Sequence, residues 1–116
     1  QFVAQHLYTI QPLNSEIMIG ISKGHVILYD LKTGTQISKL EGSLVIRSVS
    51  HVVILKSPST YGIYTSMGVQ VAEFELLSQK LMAVSVNHAH SLIMTLHVDE
   101  SGVFTLETFT LGIVMP

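Results

Sequence analysis

Gly24-His25-Val26-Ile27-Leu28-Tyr29-Asp30-Leu31-Lys32-Thr33-Gly34, running on into Thr35-Gln36-Ile37-Ser38-Lys39-Leu40-Glu41-Gly42, is the stretch whose reading decides the fold. Residues 26 to 29 form an unbroken apolar run. Because side chains alternate along an extended chain, Val26 and Leu28 point to one side and Ile27 and Tyr29 to the other. Both sides are apolar, so this strand is expected to be covered on both faces. Asp30 stands where the run ends, with a carboxylate suited to accepting hydrogen bonds from turn amides. Thr33-Gly34 then closes a hairpin, the glycine taking a positive φ without steric cost. A second strand is expected from Thr35 to Leu40.

The same grammar extends in both directions. Short runs rich in Val, Ile, Tyr, Phe and Thr are punctuated by Gly, Ser and Asn, which is the pattern of strands and turns. Strands are expected at Val3–Ile10, Glu16–Ile21, His25–Asp30, Thr35–Leu40, Val49–Leu55, Thr60–Ser66, Val69–Leu76, Leu81–Val86, Ser91–Val98, Val103–Phe109 and Ile113–Met115. Only the segment from Leu76 to Val86 admits a helical turn, since Leu77, Leu81 and Val84 fall at helix-compatible spacing. The chain therefore reads as all-β, a series of consecutive antiparallel hairpins. No Pro-rich or low-complexity linker interrupts its 116 residues, which suit one domain, 1–116.

Three glycines recur at a fixed interval: Gly34, Gly68 and Gly102 are each 34 residues apart. Each follows a polar turn, Leu31-Lys32-Thr33, Ser66-Met67 or Asp99-Glu100-Ser101. The interval divides the chain into approximate repeats 1–42, 43–77 and 78–116. In the strand count, however, the third glycine joins a different pair of strands from the first two.

The segment from Gly24 to Gly42 resembles a blade of a WD-repeat-type β-propeller. In that family an inner strand ends in an aromatic residue followed by Asp, here Tyr29-Asp30. A Thr-Gly turn, here Thr33-Gly34, then leads into an outer strand that reaches a Leu, here Leu40. The match spans about 20 residues; Tyr61-Gly62-Ile63-Tyr64 before Met67-Gly68 is a weaker second instance, and Trp is absent. The resemblance implies a degenerate propeller. At ~40 to 45 residues per blade the chain makes at most three, while closed rings use ~4 to 8. It is therefore expected to be an incomplete portion of a larger ring.

Charge bears on the same point. Asp, Glu, Lys and Arg make up 12% of the residues, against roughly 25% in an ordinary soluble domain. With 47% hydrophobic residues, much of the surface is left neutral or apolar, as expected where other protein covers it. The formal charge of −2 and the single arginine, Arg47, argue against nucleic acid as a partner. The absence of Cys removes thiolate metal sites and Cys nucleophiles. No apolar run reaches the ~18 residues of a transmembrane helix. An intracellular, cytoplasmic setting is expected.

The residues with chemical potential are few. His88 and His90 fall two apart, on one face if extended, with His97 further along. Such an array can hold zinc or iron, and it is similar to the His-x-His of cupins. The Gly and Glu that accompany that motif are replaced here by Met82 and by Met94 or Thr95. Loop histidines hydrogen-bonded at a strand entrance are the better reading, and His6, His25 and His51 are expected to be structural. Ser50-His51 and His90-Ser91 are chance adjacencies outside any Gly-x-Ser-x-Gly elbow. Glu73/Glu75 and Asp99/Glu100 suit a solvated edge or turn. Met67, Met82, Met94 and Met115 are expected in the core.

No catalytic residue, cofactor or nucleotide loop is assigned. The resemblance implies a non-catalytic protein–protein interaction scaffold, part of a multiprotein complex, whose partners are other protein subunits or the remaining blades. Tyr29, Asp30, Thr33 and Gly34 are its structural motif. Two other readings stay open: a β-trefoil ligand-binding module, which closes with three repeats at about this length, and a small metal-dependent β-barrel enzyme built on His88, His90 and His97.

Overall fold

Among the described residues, eleven strands, all antiparallel to their neighbours, make up three sheets. The structure, a computed structural model, describes residues 7–77, 79–87 and 92–110. The first sheet is a four-stranded meander of β1 (Leu7–Pro12), β2 (Ile17–Ser22), β3 (His25–Asp30) and β4 (Gln36–Glu41). The second repeats that plan with β5 (Ser43–Arg47), β6 (His51–Leu55), β7 (Thr60–Thr65) and β8 (Gln70–Glu75). The third pairs β9 (Gln79–Asn87), β10 (Leu92–Asp99) and β11 (Phe104–Thr110), with β10 central. Among the described residues the sheets do not close into a barrel and there is no helix.

The sheets stack face to face with the second in the middle. Val52, Ile54 and Tyr64 of the second sheet share a core with Ile19, Val26, Leu28 and Leu40 of the first. The alternate residues, Val53, Tyr61 and Ile63, share another with Leu81 and Ile93 of the third. Strand alternation thus sends one set of side chains each way, and residues 52 to 54 and 61 to 64, Gly62 included, are buried. Tyr61 reinforces its side by stacking on Phe74, with ring centroids 5.5 Å apart. Burial of this extent, at roughly 25 cal/mol per Å² of apolar surface, is the dominant stabilising term.

An offset of 34 to 36 residues, strand start to strand start, relates the first two sheets. β2 and β6 begin at Ile17 and His51, β4 and β8 at Gln36 and Gln70. The register between third and fourth strands slips at the same point of each third strand, between Leu28 and Tyr29 and, 35 residues on, between Ile63 and Tyr64. Both tyrosines are buried.

The period does not continue into the third sheet. Ile93, Thr95 and His97 are buried on the face of β10 that meets the second sheet. Shifted back by 34 they would fall on Ser59, Tyr61 and Ile63, and Tyr61 and Ile63 look toward the third sheet, the opposite way. Gly102 accordingly lies between the second and third strands of its sheet, whereas Gly34 and Gly68 lie between third and fourth.

One strand was not expected, and one alternative falls away. Ser43–Arg47 forms a strand although none is expected there, because one residue, Gly42, suffices to pass between the first two sheets. The segment from Leu76 to Val86 holds no helical turn among its described residues; β9 runs from Gln79, its Leu81 drawn into the core by Ile63 and Ile93.

Candidate functional site

The Asp30 turn is built as its residue types dictate. Asp30 Oδ1 accepts hydrogen bonds from the Lys32 amide at 2.8 Å and from the Thr33 amide at 3.4 Å. Thr33 Oγ1 accepts from the Thr35 amide and donates to Thr35 Oγ1. Gly34, at φ 71°, donates its amide to Asp30 O at 2.8 Å. Tyr29, two residues along from Ile27, lies over Gly20, where an added Cβ would come within 2.9 Å of its ring. Tyr29, Asp30, Thr33 and Gly34 therefore act together as a strand end and its turn.

The same device recurs in the other sheets. Thr65 Oγ1 accepts from the Met67 and Val69 amides at 3.3 and 3.2 Å, ahead of Gly68. Asp99 Oδ1 accepts from the Ser101 and Val103 amides at 2.9 and 3.0 Å, ahead of Gly102. Substituting Thr for Asp preserves the acceptor oxygen, which is why no second aromatic-Asp pair is visible in the sequence.

Turns from the first two sheets meet at one end of the stack. Asn14 Nδ2 donates to Val49 O at 2.8 Å and Arg47 Nη1 to Pro12 O at 2.7 Å, joining the β1–β2 and β5–β6 turns. Beside them Ser15, Glu16, Asp30, Lys32 and Met67 line a shallow cleft. The single arginine thus ties one sheet to the next, a role its isolation in the sequence does not reveal.

Of the metal-site candidates, His88 and His90 lie outside the described residues. His97 is 1% exposed and faces the second sheet from β10. Its Nε2 is 3.1 Å from Glu107 Oε1 without hydrogen-bond alignment, and neither ring nitrogen has a hydrogen-bond partner among the described residues. Thr95 Oγ1, on the same face, is buried and likewise unpaired. Among the described residues no three His, Asp or Glu side chains gather as a metal would require.

Two further histidines, His25 and His51, make local contacts. His25 Nδ1 lies 3.3 Å from Lys23 O. His51 is buried, its Nδ1 2.7 Å from Ser50 Oγ and its amide held by Ser48 Oγ, so the Ser50-His51 adjacency belongs to a turn. His6 and the His90-Ser91 pair lie outside the described residues. Glu73 engages Lys56 in an ion pair, with Gln70 beside both. That hydrogen bond holds the Glu73 carboxyl below its ordinary range and the Lys56 ammonium above its own.

The broadest unexplained feature is a face, and the sequence hides it. Along β10, Leu92, Met94, Leu96 and Val98 alternate with Ile93, Thr95 and His97. The wholly apolar set points away from the second sheet, with Leu92 and Met94 exposed, while the set containing Thr95 and His97 is buried. Phe104 and Leu106, cross-strand partners of Val98 and Leu96, extend this outer face at 60% and 62% exposure. The core expectation for the methionines is corrected accordingly: Met67, Met82 and Met94 are 57%, 46% and 44% exposed, and Met115 lies outside the described residues. A period of two identifies two faces but cannot say which is covered when both carry apolar residues.

No helix among the described residues is long and apolar enough to cross a membrane. A scan against known protein-family models gives no match, and a search of curated proteins finds no relative.

Proposed function

We propose that the chain is a non-catalytic interaction scaffold, its sheets the blades of a degenerate WD-like propeller within a larger multiprotein assembly. The observation that carries this reading is the second sheet, enclosed on both faces by the sheets before and after it in sequence. Consecutive four-stranded meanders stacked face to face are how propeller blades bury a sheet that is apolar on both sides. The offset of 34 to 36 residues linking the strands of the first two sheets, with Tyr29 and Tyr64 each next to a register slip at the same point of its strand, supports the repeat.

Function follows from the site and not from the fold alone. Here the buried polar residues cap turns or sit between sheets, and the most extensive accessible feature is the apolar outer face of the third sheet. Exposed apolar surface of that extent marks contact with another protein. Sedimentation of the tagged natural polypeptide from gently lysed cells tests the reading. It is expected to travel with other proteins in fixed stoichiometry; a polypeptide that sediments alone at its own mass overturns it.

A further inference from the structure

We infer that the cleft at the turn end of the first two sheets takes an arginine side chain from an extended segment of a partner protein, with apolar residues on either side of that arginine. The inference rests on the scaffold reading and deepens it by naming the chemistry of one contact. The cleft has a volume of about 470 Å³, within the ~300 to 1,000 Å³ of ordinary ligand sites. Its walls are the β1–β2 turn with Glu16, the β3–β4 turn with Asp30 and Lys32, and the β7–β8 turn with Met67, and Ile17 and Ile37 supply apolar lining. The third wall is seated closely on the first sheet: a Cβ at Gly68 would stand 2.3 Å from Ser38 Oγ of β4.

Three properties point to that occupant. The first is place. Stacked sheets cover one another's faces and not their turn ends, so this end stays open whichever sheet adjoins. Its turns nevertheless carry Leu31, Val49, Met67 and Val69 at 45%, 73%, 57% and 59% exposure. The turns at the opposite end of the same sheets, Lys23-Gly24 and Lys56-Ser57-Pro58-Ser59, are polar. Turn residues are ordinarily polar for conformational reasons, so apolar tips grouped at one end mark a contact surface. The Asn14 bond to Val49 O brings the β5–β6 turn beside the turn that holds Glu16. The second property is charge. Glu16, Asp30 and Lys32 line the cleft, and none of them enters an ion pair among the described residues. Asp30 spends Oδ1 on the amides of its own turn. Two carboxylates against one ammonium leave the cleft negative, which favours a cation. The third is shape. A guanidinium offers five donors in a planar fork, suited to acceptors carried on two separate turns, whereas an ammonium is a compact point charge. Its aliphatic stem packs against Ile37 and the adaptable Met67 side chain.

The test follows the backbone amide resonances of the whole chain by NMR while an acetylated and amidated pentapeptide, Gly-Leu-Arg-Leu-Gly, is added. The comparison peptide carries norleucine in place of arginine. A short flexible peptide with few contacts is expected to bind with a Kd of the order of 1 mM, so titration runs to about 5 mM. The amides of Glu16, Lys32 and Met67 are expected to shift most. The norleucine peptide is expected to bind at least about 10-fold more weakly. Glu16→Gln keeps the shape and removes the charge, and Asp30→Asn also keeps an acceptor for the turn amides; each is expected to weaken the arginine peptide by about 5-fold. Lys32→Gln removes a like charge and is expected to strengthen binding about 2-fold. The same spectra show that each variant is folded. No binding of the arginine peptide, equal binding of the norleucine peptide, indifference to both carboxylate substitutions, weaker binding by Lys32→Gln, or shifts confined to other turns overturns the inference. If the peptide fails while the natural polypeptide still sediments with other proteins, this inference falls and the scaffold reading stands. Binding at the cleft by a polypeptide that sediments alone removes the scaffold reading and keeps the arginine site.

Discussion

Gly42 is the single residue between the first and second sheets, and replacing it with Ala tests whether that junction is as tight as the geometry demands. Its φ is 126°, a region that L side chains rarely enter, and its amide donates to Gly24 O at 2.9 Å. A Cβ here would stand 2.3 Å from Leu55 O and 2.6 Å from Ile54 Cγ2. The first obstacle is backbone of the next sheet, which has no rotamer to escape into. Backbone strain of about 1 to 3 kcal/mol combines with a clash of similar size, so Gly42→Ala is expected to cost about 3 to 5 kcal/mol. Gly24→Ala is the control. Gly24 also has a positive φ, 74°, but nothing lies within 4 Å of its Cβ position, so only the left-handed penalty of about 1 to 2 kcal/mol applies. At a urea slope of about 2 kcal/mol per molar, the midpoints should fall by roughly 2 M for Gly42→Ala and under about 1 M for Gly24→Ala. Equal shifts would refute the claim that the first two sheets meet through this residue.

Other expectations follow from single contacts. Thr95→Val removes a buried hydroxyl without a partner and keeps the shape, so it should stabilise the chain by about 1 kcal/mol in denaturant titration; a loss would mean the hydroxyl is bonded. Asp30→Ala strips the acceptor from the β3–β4 turn at a cost of about 1 kcal/mol, and Asp30→Asn, which keeps an acceptor oxygen, should recover most of it in the same assay. Glu73 should titrate below its ordinary value of 4.5 when followed by carboxyl NMR, and Lys56→Met should return it there. The sign is fixed by the pair: the Glu73 contribution is present above that ordinary value and fades as pH falls through the lowered midpoint. The Lys56 contribution is present below 10.5 and fades as pH rises through the raised one. Both side chains are well exposed, so the effect on stability is small.

How much was legible depends on which residues are asked. The β3–β4 hairpin could be read outright, because an apolar run of four, an acceptor at its end and a glycine at the turn all have local causes. So could the apolar character of both faces of the central strands, visible at Val26 to Tyr29. β5 was not legible, since Ser43 to Arg47 is half exposed and owes its pairing to Val52 and Val53 on the next strand. Nor was the orientation of the third sheet. Leu92, Met94, Leu96 and Val98 form the more apolar side of β10, and local pattern would bury them. Leu81, Val84 and Val86 of β9 instead join Ile93 in facing the second sheet, and that choice turns the apolar side outward. The even spacing of Gly34, Gly68 and Gly102 misleads for a related reason: each closes a hairpin of similar build, but the third hairpin joins different strands of its sheet.

The central claim is that the second sheet is covered by the first on one side and by the third on the other. Methyl NMR on selectively labelled Ile, Leu and Val tests it most directly. The Ile54 methyls should show cross-sheet NOEs to Ile19 or Leu28 and none to the third sheet, while the Ile63 methyls should show them to Ile93 or Leu81 and none to the first. NOEs from Ile54 to Ile93, or the absence of any NOE between sheets, would contradict the account.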